Sequence, residues 1–345
     1  MEVSINRAKH SYEVIVTLPT CTEQGYTTNI CTICGDSYVT DYTNPVDHVY
    51  EGGECKWCGY SEGYVKWYSG TTSLNGTIDL NIYVLLSDDL VNADDTFVRF
   101  TYAGKTVDVP MADALHTPKG GYDNCYRFST PIYAKQLADN VNVKFMKGSS
   151  IIGEELNYSV MTYCQNRIRK STDPAEIAMC KALLNYGAVS QTYFGYNTGS
   201  LANISLSDAD KVLKDVNASA YKHSITGTET GIKAKSATLM YVDVVKVRVY
   251  FTLTGSKTID QYTFTIDGKE VAVQQNEKGY YVETDGIAAK DLEKMFKIQA
   301  GGITVNYGAL SYVNSKVIGS STSENEKNLA KALYAYWQAA EVYLG

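Results

Sequence analysis

The stretch FTYAGKTVDV at residues 100–109 recurs as FTIDGKEVAV at residues 264–273, and the predicted architecture follows from this recurrence. Further along, Lys-Ala-Leu at residues 181–183 recurs at residues 331–333. Several matches in the same order are not expected by chance. The sequence therefore predicts two diverged copies of one module.

The positions of the two copies divide the chain into four predicted parts. These are a cysteine-rich domain at 1–62, a first copy at 63–195, a linker at 196–231 and a second copy at 232–345. A chain of 345 residues is long enough for each copy to bury a core of its own. The first residues lack a charged-then-apolar leader, so we expect a segment cut from a longer protein.

Each copy begins with alternating apolar and polar residues, at residues 80–86 and 245–253. This period of two is typical of half-buried β-strands. Ala103-Gly104 and Asp267-Gly268 stand at equivalent positions as hairpin-turn dipeptides. Each copy is therefore predicted to contain an antiparallel β-sandwich or a curled sheet.

Each copy then changes to a helical period, which predicts a C-terminal helical hairpin. Short helices are predicted at Val160–Arg169 and Ala309–Ile318. Longer helices are predicted to follow N-caps at Asp173 and Ser323, with glutamates in the capping-box position. The predicted fold class is α+β, with a small zinc-ribbon-like N-terminal domain before two tandem modules.

Two Cys-x-x-Cys pairs, each followed by Gly, suggest a metal site in the N-terminal domain. The predicted zinc ligands are Cys31, Cys34, Cys55 and Cys58. Four protein ligands leave no open coordination position, so the zinc is expected to be structural. A domain this small buries little core, which gives a metal a clear stabilising purpose.

A weaker repeat leaves a second ligand set open. Lys-His-Ser-Tyr-Glu at 9–13 recurs 38 residues later as Asp-His-Val-Tyr-Glu at 47–51. Units of the form His, Cys, Cys-x-x-Cys would place Cys21 and His48 with the first cysteine pair. Disulfides or free thiols are the third alternative.

Several classes of function are unsupported by composition and motifs. A net charge of −7 without a basic stripe gives no reason to expect nucleic acid. No apolar run is long enough for a membrane span. The four histidines belong to no catalytic or phosphate-binding motif, so we expect a protein that is not an enzyme.

An aromatic cluster is the predicted ligand-binding site, because exposed rings stack on sugars and also anchor protein partners. Its members are Trp57, Tyr60, Tyr64, Trp67 and Tyr68. The alternative is that these rings join the N-terminal domain to the first copy.

Cys164 and Cys180 fall on the two helices of the first hairpin, and their counterparts in the second copy are Val313 and Ala330. Joint loss of both sulfurs favours a disulfide between the helices. The alternative is a pair of small buried apolar side chains.

The passage TCTEQGYTTNICTICGDSYVTDY, with DHVYEGGECKWCGY, resembles a small repeat of large extracellular proteins of Gram-positive anaerobic bacteria, over residues 8–60. LLNYGAVSQTYFGYN at 183–197, IAAKDLEKMF at 287–296 and YGALSYV at 307–313 resemble segments of the same surface proteins. The resemblance implies a secreted or wall-attached protein, in which such segments recur beside carbohydrate-binding modules. We therefore expect a binding or adhesion module for a glycan. The alternatives are a module for a host or partner protein such as immunoglobulin, and a structural spacer.

Overall fold

The computed structural model describes residues 10–51, 54–59, 61, 63–74, 77–242 and 244–345. It consists mostly of strands in antiparallel sheets, with few helices, so the predicted α+β class is confirmed. The chain forms two compact units. The smaller unit contains the residues up to Val65 with Leu86–Ala93, and the larger contains Lys66–Leu85 with Asp94–Gly345.

The smaller unit has a three-stranded sheet and a short two-stranded ladder. Its strands are β1 (Tyr12–Thr17), β2 (Gly25–Cys31), β3 (Ser37–Thr43), β4 (Tyr50–Glu51) and β5 (Glu54–Cys55), and its helix is α1 (Asp88–Val91). The sheet order is β1-β2-β3, with β4 paired to β5. The side chains of β1 are exposed along its whole length, so this sheet buries little apolar surface.

The first part of the larger unit contains two four-stranded sheets. Its strands are β6 (Val65–Ser73), β7 (Asp79–Leu86), β8 (Thr96–Tyr102), β9 (Lys105–Pro110), β10 (Leu115–His116), β11 (Cys125–Pro131), β12 (Val141–Lys147) and β13 (Ser150–Tyr158). The sheet orders are β10-β11-β7-β6 and β13-β12-β8-β9. Side chains from the two sheets meet at Phe128 and Phe145, whose rings pack edge to face at 6.4 Å.

Two helices follow these sheets, and a short segment leads to the second set of strands. The elements are α2 (Val160–Lys170), α3 (Pro174–Phe194), α4 (Asp208–Lys211) and β14 (Ser224–Thr226). Asn185 and Gln191 are buried on α3 and hydrogen bond to residues of the predicted linker. This explains why polar side chains occupy buried positions of that helix.

The last part of the chain contains a five-stranded sheet, a four-stranded sheet and two helices. Its elements are β15 (Ile232–Met240), β16 (Lys246–Leu253), β17 (Phe264–Ile266), β18 (Lys269–Glu270), β19 (Gln274–Asn276), β20 (Gly279–Glu283), β21 (Met295–Ala300), β22 (Ile303–Gly308), α5 (Ala309–Ile318) and α6 (Glu324–Leu344). The sheet orders are β14-β22-β21-β17-β18 and β15-β16-β20-β19. The predicted linker therefore contributes a strand, β14, to the larger sheet.

Local signals in the sequence are confirmed at turns and helix starts. Ala103 and Asp267 have positive φ and precede glycines that also have positive φ, as a primed hairpin turn requires. Asp173 accepts a hydrogen bond from the Ala175 amide, and Ser323 accepts one from the Glu326 amide.

The capping-box glutamates have a different role from the one predicted. Glu176 pairs with Arg167 of α2, and Glu326 pairs with Lys316 of α5. A cationic side chain on the preceding helix gives the carboxylate an oppositely charged partner, whereas the cap amide is a neutral donor. These glutamates therefore join the two helices of each hairpin.

The burial pattern of β7 also differs from the predicted alternation of buried and exposed residues. Asn81, Tyr83 and Leu85 are buried as well as the alternating apolar residues. Asn81 hydrogen bonds to Ser73 and Ser129 on the neighbouring strands. β7 is thus a central strand with both faces covered.

Candidate metal centre

Four possible metal ligands from three segments of the chain meet in the smaller unit. Ligand atoms of Cys21, His48, Cys55 and Cys58 all lie within 4.8 Å of one another. The Cys21 and Cys55 Sγ atoms are 3.7 Å apart, and Cys58 Sγ is 3.3 Å from His48 Nδ1. Three sulfur atoms and one imidazole nitrogen match the donor set of a closed tetrahedral site.

Backbone geometry explains how Cys55 and Cys58 face the same point. Cys55 ends β5, and the Gly59 amide donates to the Cys55 carbonyl at 2.7 Å. Gly59 has φ +72°, a conformation that glycine adopts without strain. His48 precedes β4, and Tyr50 of that strand pairs with Cys55, which places the imidazole beside the knuckle.

A second cluster has the same construction with three ligands. His10 Nδ1 lies 3.4 Å from Cys31 Sγ and 3.5 Å from Cys34 Sγ. Tyr12 of β1 pairs with Cys31 of β2, so the residue two positions before Tyr12 lies beside this knuckle.

The structure does not bring the four sulfur atoms of the two Cys-x-x-Cys pairs into one cluster. Cys31 and Cys34 lie with His10, whereas Cys55 and Cys58 lie with Cys21 and His48. The alternative set, with Cys21 and His48 beside the first pair, is not formed either. Cys21 precedes β2 and Cys31 ends it, and a seven-residue strand separates its ends by roughly 20 Å.

His10 is the ligand candidate that sequence reasoning missed. The signal was present, because His10 occupies the place in the 9–13 segment that His48 occupies in the 47–51 segment. Each histidine lies two residues before a tyrosine that pairs with the first cysteine of a knuckle. The repeat therefore pairs each histidine with the Cys-x-x-Cys that follows it.

Backbone amides prepare two of the thiols for metal binding. The Cys34 amide lowers the pKa of the Cys31 thiol to about 6, against the effect of burial. Burial raises the pKa of Cys55, but hydrogen bonds from the Trp57 amide and the His48 ring bring it down to about 5. Thiolates are the metal-binding form of cysteine, so both side chains are suited to the role.

Cys21 behaves differently from the knuckle cysteines. Burial raises the pKa of its thiol to about 11, and hydrogen bonding to Cys55 and Cys58 acts in the same direction. A cation within this cluster would remove that penalty, because a coordinated thiol is deprotonated.

Two members of the predicted aromatic site lie on opposite faces of one strand. Trp67 and Tyr68 are successive residues of β6, so their side chains point to opposite faces of the strand. Trp57 is 59% exposed and Tyr64 is half-buried, both in the smaller unit. Tyr60 lies outside the described residues.

Tyr68 instead pairs with a ring that the sequence did not single out. Tyr122 packs edge to face against it at 5.7 Å, and the two side chains are 37% and 46% exposed. Lys119 and Tyr122 close a tight turn around Gly120 and Gly121, whose φ angles are +61° and +85°. A shallow cavity of about 340 Å³ lies along residues 118–123.

Gly120 is required for this arrangement. A Cβ at that position would lie 2.0 Å from the Tyr68 hydroxyl oxygen. The loop that presents Tyr122 is therefore seated directly on the Tyr68 side chain.

The proposed disulfide partners are present as free thiols. Cys164 and Cys180 are both buried between α2 and α3. A hydrogen bond with the Cys180 thiol contributes most to raising the pKa of Cys164. The two sulfurs are thus neighbours, as the prediction required, and the bond itself remains a prediction.

In the described part of the chain, no helix combines the length and apolar character needed to cross a membrane. No protein family model, no curated protein and no solved structure matches this chain.

Proposed function

We propose that this chain is a non-catalytic binding module of a secreted or wall-attached bacterial surface protein, and that its ligand is a glycan held at Tyr68 and Tyr122. The observation that carries the proposal is the half-exposed ring pair beside the cavity at residues 118–123. Sugar faces stack on aromatic rings, and tyrosine adds a hydroxyl for polar contact.

Neighbouring charges supply hydrogen-bonding groups at the same place. Asp123 is almost fully exposed in this loop, where a carboxylate can accept from sugar hydroxyls. Lys119 lies 3.8 Å over the ring of Tyr83, which holds the near end of the turn on the sheet. A rigid turn with rings and a carboxylate is preorganised for a polar ligand.

The glycan proposal rests on an arrangement in which the larger unit is two copies of one module. Strands β6–β13 with α2 and α3 follow the same order and sheet positions as strands β15–β22 with α5 and α6. The connection before β11 has eight residues, 117–124, whereas the connection before β20 has two, 277–278. The proposed site thus lies in a loop that differs between the copies.

The smaller unit has a structural role in this proposal. Cys21, His48, Cys55 and Cys58 hold a Zn²⁺ ion, for which three thiolates and an imidazole are a preferred donor set. Four protein ligands leave no position for a substrate, so the ion stabilises a unit that has little apolar core.

A glycan array with the purified protein tests the proposal. We expect Tyr68→Ala and Tyr122→Ala each to weaken binding about tenfold, the value of one stacking contact. Tyr42→Ala, at an exposed ring of β3, is the matched control and should leave binding unchanged. An array with no bound glycan, or binding that survives both substitutions, would overturn the glycan proposal.

A second candidate is binding of a partner protein through the free edge of β1. This strand reads YEVIVT, is exposed throughout and pairs only with β2 among the described strands. An edge of this kind can accept a strand from another protein. Val14→Lys with Val16→Lys should abolish capture of a partner from host secretions and leave glycan binding intact, which separates the two candidates.

A further inference from the structure

The three-ligand cluster reproduces the four-ligand cluster residue by residue. His10 corresponds to His48, Cys31 to Cys55 and Cys34 to Cys58. In both, the first cysteine is buried and the second is exposed. Gly35 donates to the Cys31 carbonyl at 2.9 Å with φ +75°, as Gly59 does at the other knuckle.

We propose that His10, Cys31 and Cys34 bind a second thiophilic divalent cation, and that a cysteine thiolate from another polypeptide segment completes its coordination. Three protein ligands satisfy three corners of a tetrahedron and leave the fourth open. Soft sulfur ligands favour ions such as Zn²⁺ over Mg²⁺ or Ca²⁺.

The fourth ligand has a counterpart in the complete cluster. Cys21 occupies that place, and it comes from the loop between β1 and β2, not from the His48–Cys58 segment. The hairpin of β1 and β2 thus supplies a thiol to the second knuckle, Cys55–Cys58. A donor that approaches the His10 cluster in the same way would come from another copy of such a hairpin loop.

Among the residues that the structure describes, no fourth ligand joins the His10 cluster. Residues 1–9 contain neither cysteine nor histidine. The remaining cysteines, Cys125, Cys164 and Cys180, are buried among the sheets and helices of the larger unit. The open corner is therefore a point where metal binding can join this chain to a second hairpin of its own kind.

Metal stoichiometry tests the first part of the proposal. The wild-type protein should bind two equivalents of Zn²⁺ by elemental analysis, and His10→Ala should bind one. The double variant Cys55→Ser with Cys58→Ser leaves only Cys21 and His48 at the four-ligand cluster, so it should also bind one equivalent, at the His10 cluster. A wild-type stoichiometry of one, unchanged in His10→Ala, would overturn the second site. That result, with one zinc ion bound only at the His48 cluster, would leave the proposed structural role of the metal in the smaller unit intact.

A cobalt titration tests the fourth ligand. The probe is a peptide of residues 18–25, LPTCTEQG, with a Cys→Ser peptide as control. Adding the cysteine peptide to the Co²⁺-loaded Cys55→Ser/Cys58→Ser double variant should strengthen the sulfur-to-cobalt charge-transfer band by about one thiolate, and the serine peptide should not. If this double variant loses its β-sheet circular dichroism, Cys21→Ser with His48→Ala serves in its place.

A matched variant sets the opposite expectation. In Cys34→Ser the remaining metal has four protein ligands, so the peptide should leave its spectrum unchanged. An equal response in Cys34→Ser and in the Cys55→Ser/Cys58→Ser double variant, or none in either, would overturn the proposal of an open coordination position.

Discussion

The Sγ atoms of Cys21 and Cys55 lie 3.7 Å apart although 34 residues separate them along the chain. One belongs to the loop after β1 and the other ends β5, so the site joins the long hairpin to the short ladder. A metal ion bound at this point would therefore hold these two elements together.

Removing Cys21 should disable this site. We expect Cys21→Ser to lower zinc affinity by more than about a hundredfold. The loss of an outer-sphere partner alone lowers metal affinity by up to about a hundredfold, and Cys21 is a direct ligand. Cys21→Ser and chelator treatment of the wild type should both speed amide exchange in the smaller unit, because each removes the metal that holds it together. Cys180→Ala is the control, because the second copy has Ala330 at the equivalent position. Equal zinc affinity in Cys21→Ser and wild type would contradict the site.

The loop at Gly120 allows a comparison of adjacent glycines. Gly120→Ala places a methyl group 2.0 Å from the Tyr68 hydroxyl oxygen, whereas Gly121→Ala meets nothing within 4 Å. Both substitutions carry the strain of positive φ, about 1–3 kcal/mol. Gly120→Ala should therefore cost more stability in urea unfolding and should also move Tyr68. Equal costs would show that Tyr68 does not pack on this turn.

The long helices α3 and α6 are joined by stacked rings. Tyr186 and Tyr336 are both buried, with centroids 5.5 Å apart and planes 12° from parallel. Replacing either by Ala should cost about 3–5 kcal/mol in unfolding free energy, as for other large core aromatics. The double-mutant cycle should give a coupling of about 0.5–1.5 kcal/mol.

A control cycle distinguishes coupling from general damage. Tyr281 packs on Tyr250 in a sheet of the larger unit. The losses of unfolding free energy caused by Tyr186→Ala and by Tyr281→Ala should add within error in the double variant. Additivity in the Tyr186–Tyr336 cycle would contradict the packing of α3 on α6.

The Glu176–Arg167 pair should make stability depend on pH in the acid range. Hydrogen bonding from Arg167 lowers the pKa of Glu176 below its usual 4.5. A lowered folded-state pKa means that the stabilisation is complete above pH 4.5 and is lost as the pH falls through the folded-state value. Glu176→Gln should cost about 1.5–3 kcal/mol at pH 7 and progressively less toward pH 3.

An exposed glutamate provides the comparison for this series. Glu324 pairs with Lys327 on the surface of α6, and its side chain is 79% exposed. Glu324→Gln should change stability by less than about 1 kcal/mol at every pH. The same pH profile for both variants, measured by denaturant unfolding, would be evidence against the Arg167 interaction.

Oxidation should join Cys164 and Cys180. The two thiols interact between α2 and α3, and a closed loop of about 15 residues stabilises a fold by about 3 kcal/mol. Mild oxidation should remove two hydrogen atoms by intact-mass analysis and raise the melting temperature. Cys125→Ala should retain this response, and a response that survives Cys180→Ala would assign the bond elsewhere.

Local chemistry was readable from sequence where it depends on near neighbours. The turns at Ala103-Gly104 and Asp267-Gly268, and the caps at Asp173 and Ser323, depend on a few adjacent residues. The α+β class followed from hydrophobic period, which is also local. The sequence also indicated that cysteines and histidines of the first 60 residues could hold a metal.

The grouping of those ligands was decided by tertiary structure. Cys21 and Cys31 are ten positions apart, but the length of β2 places them at opposite ends of a strand. Tyr68 packs against Tyr122 because of the distant turn between β10 and β11, while the adjacent Trp67 points to the other face of the strand. Side-chain chemistry and local period are properties of short segments, so the order of residues was enough to indicate which of them could act. Which of them act together depended on strand length, register and face, which exist only once distant segments have paired.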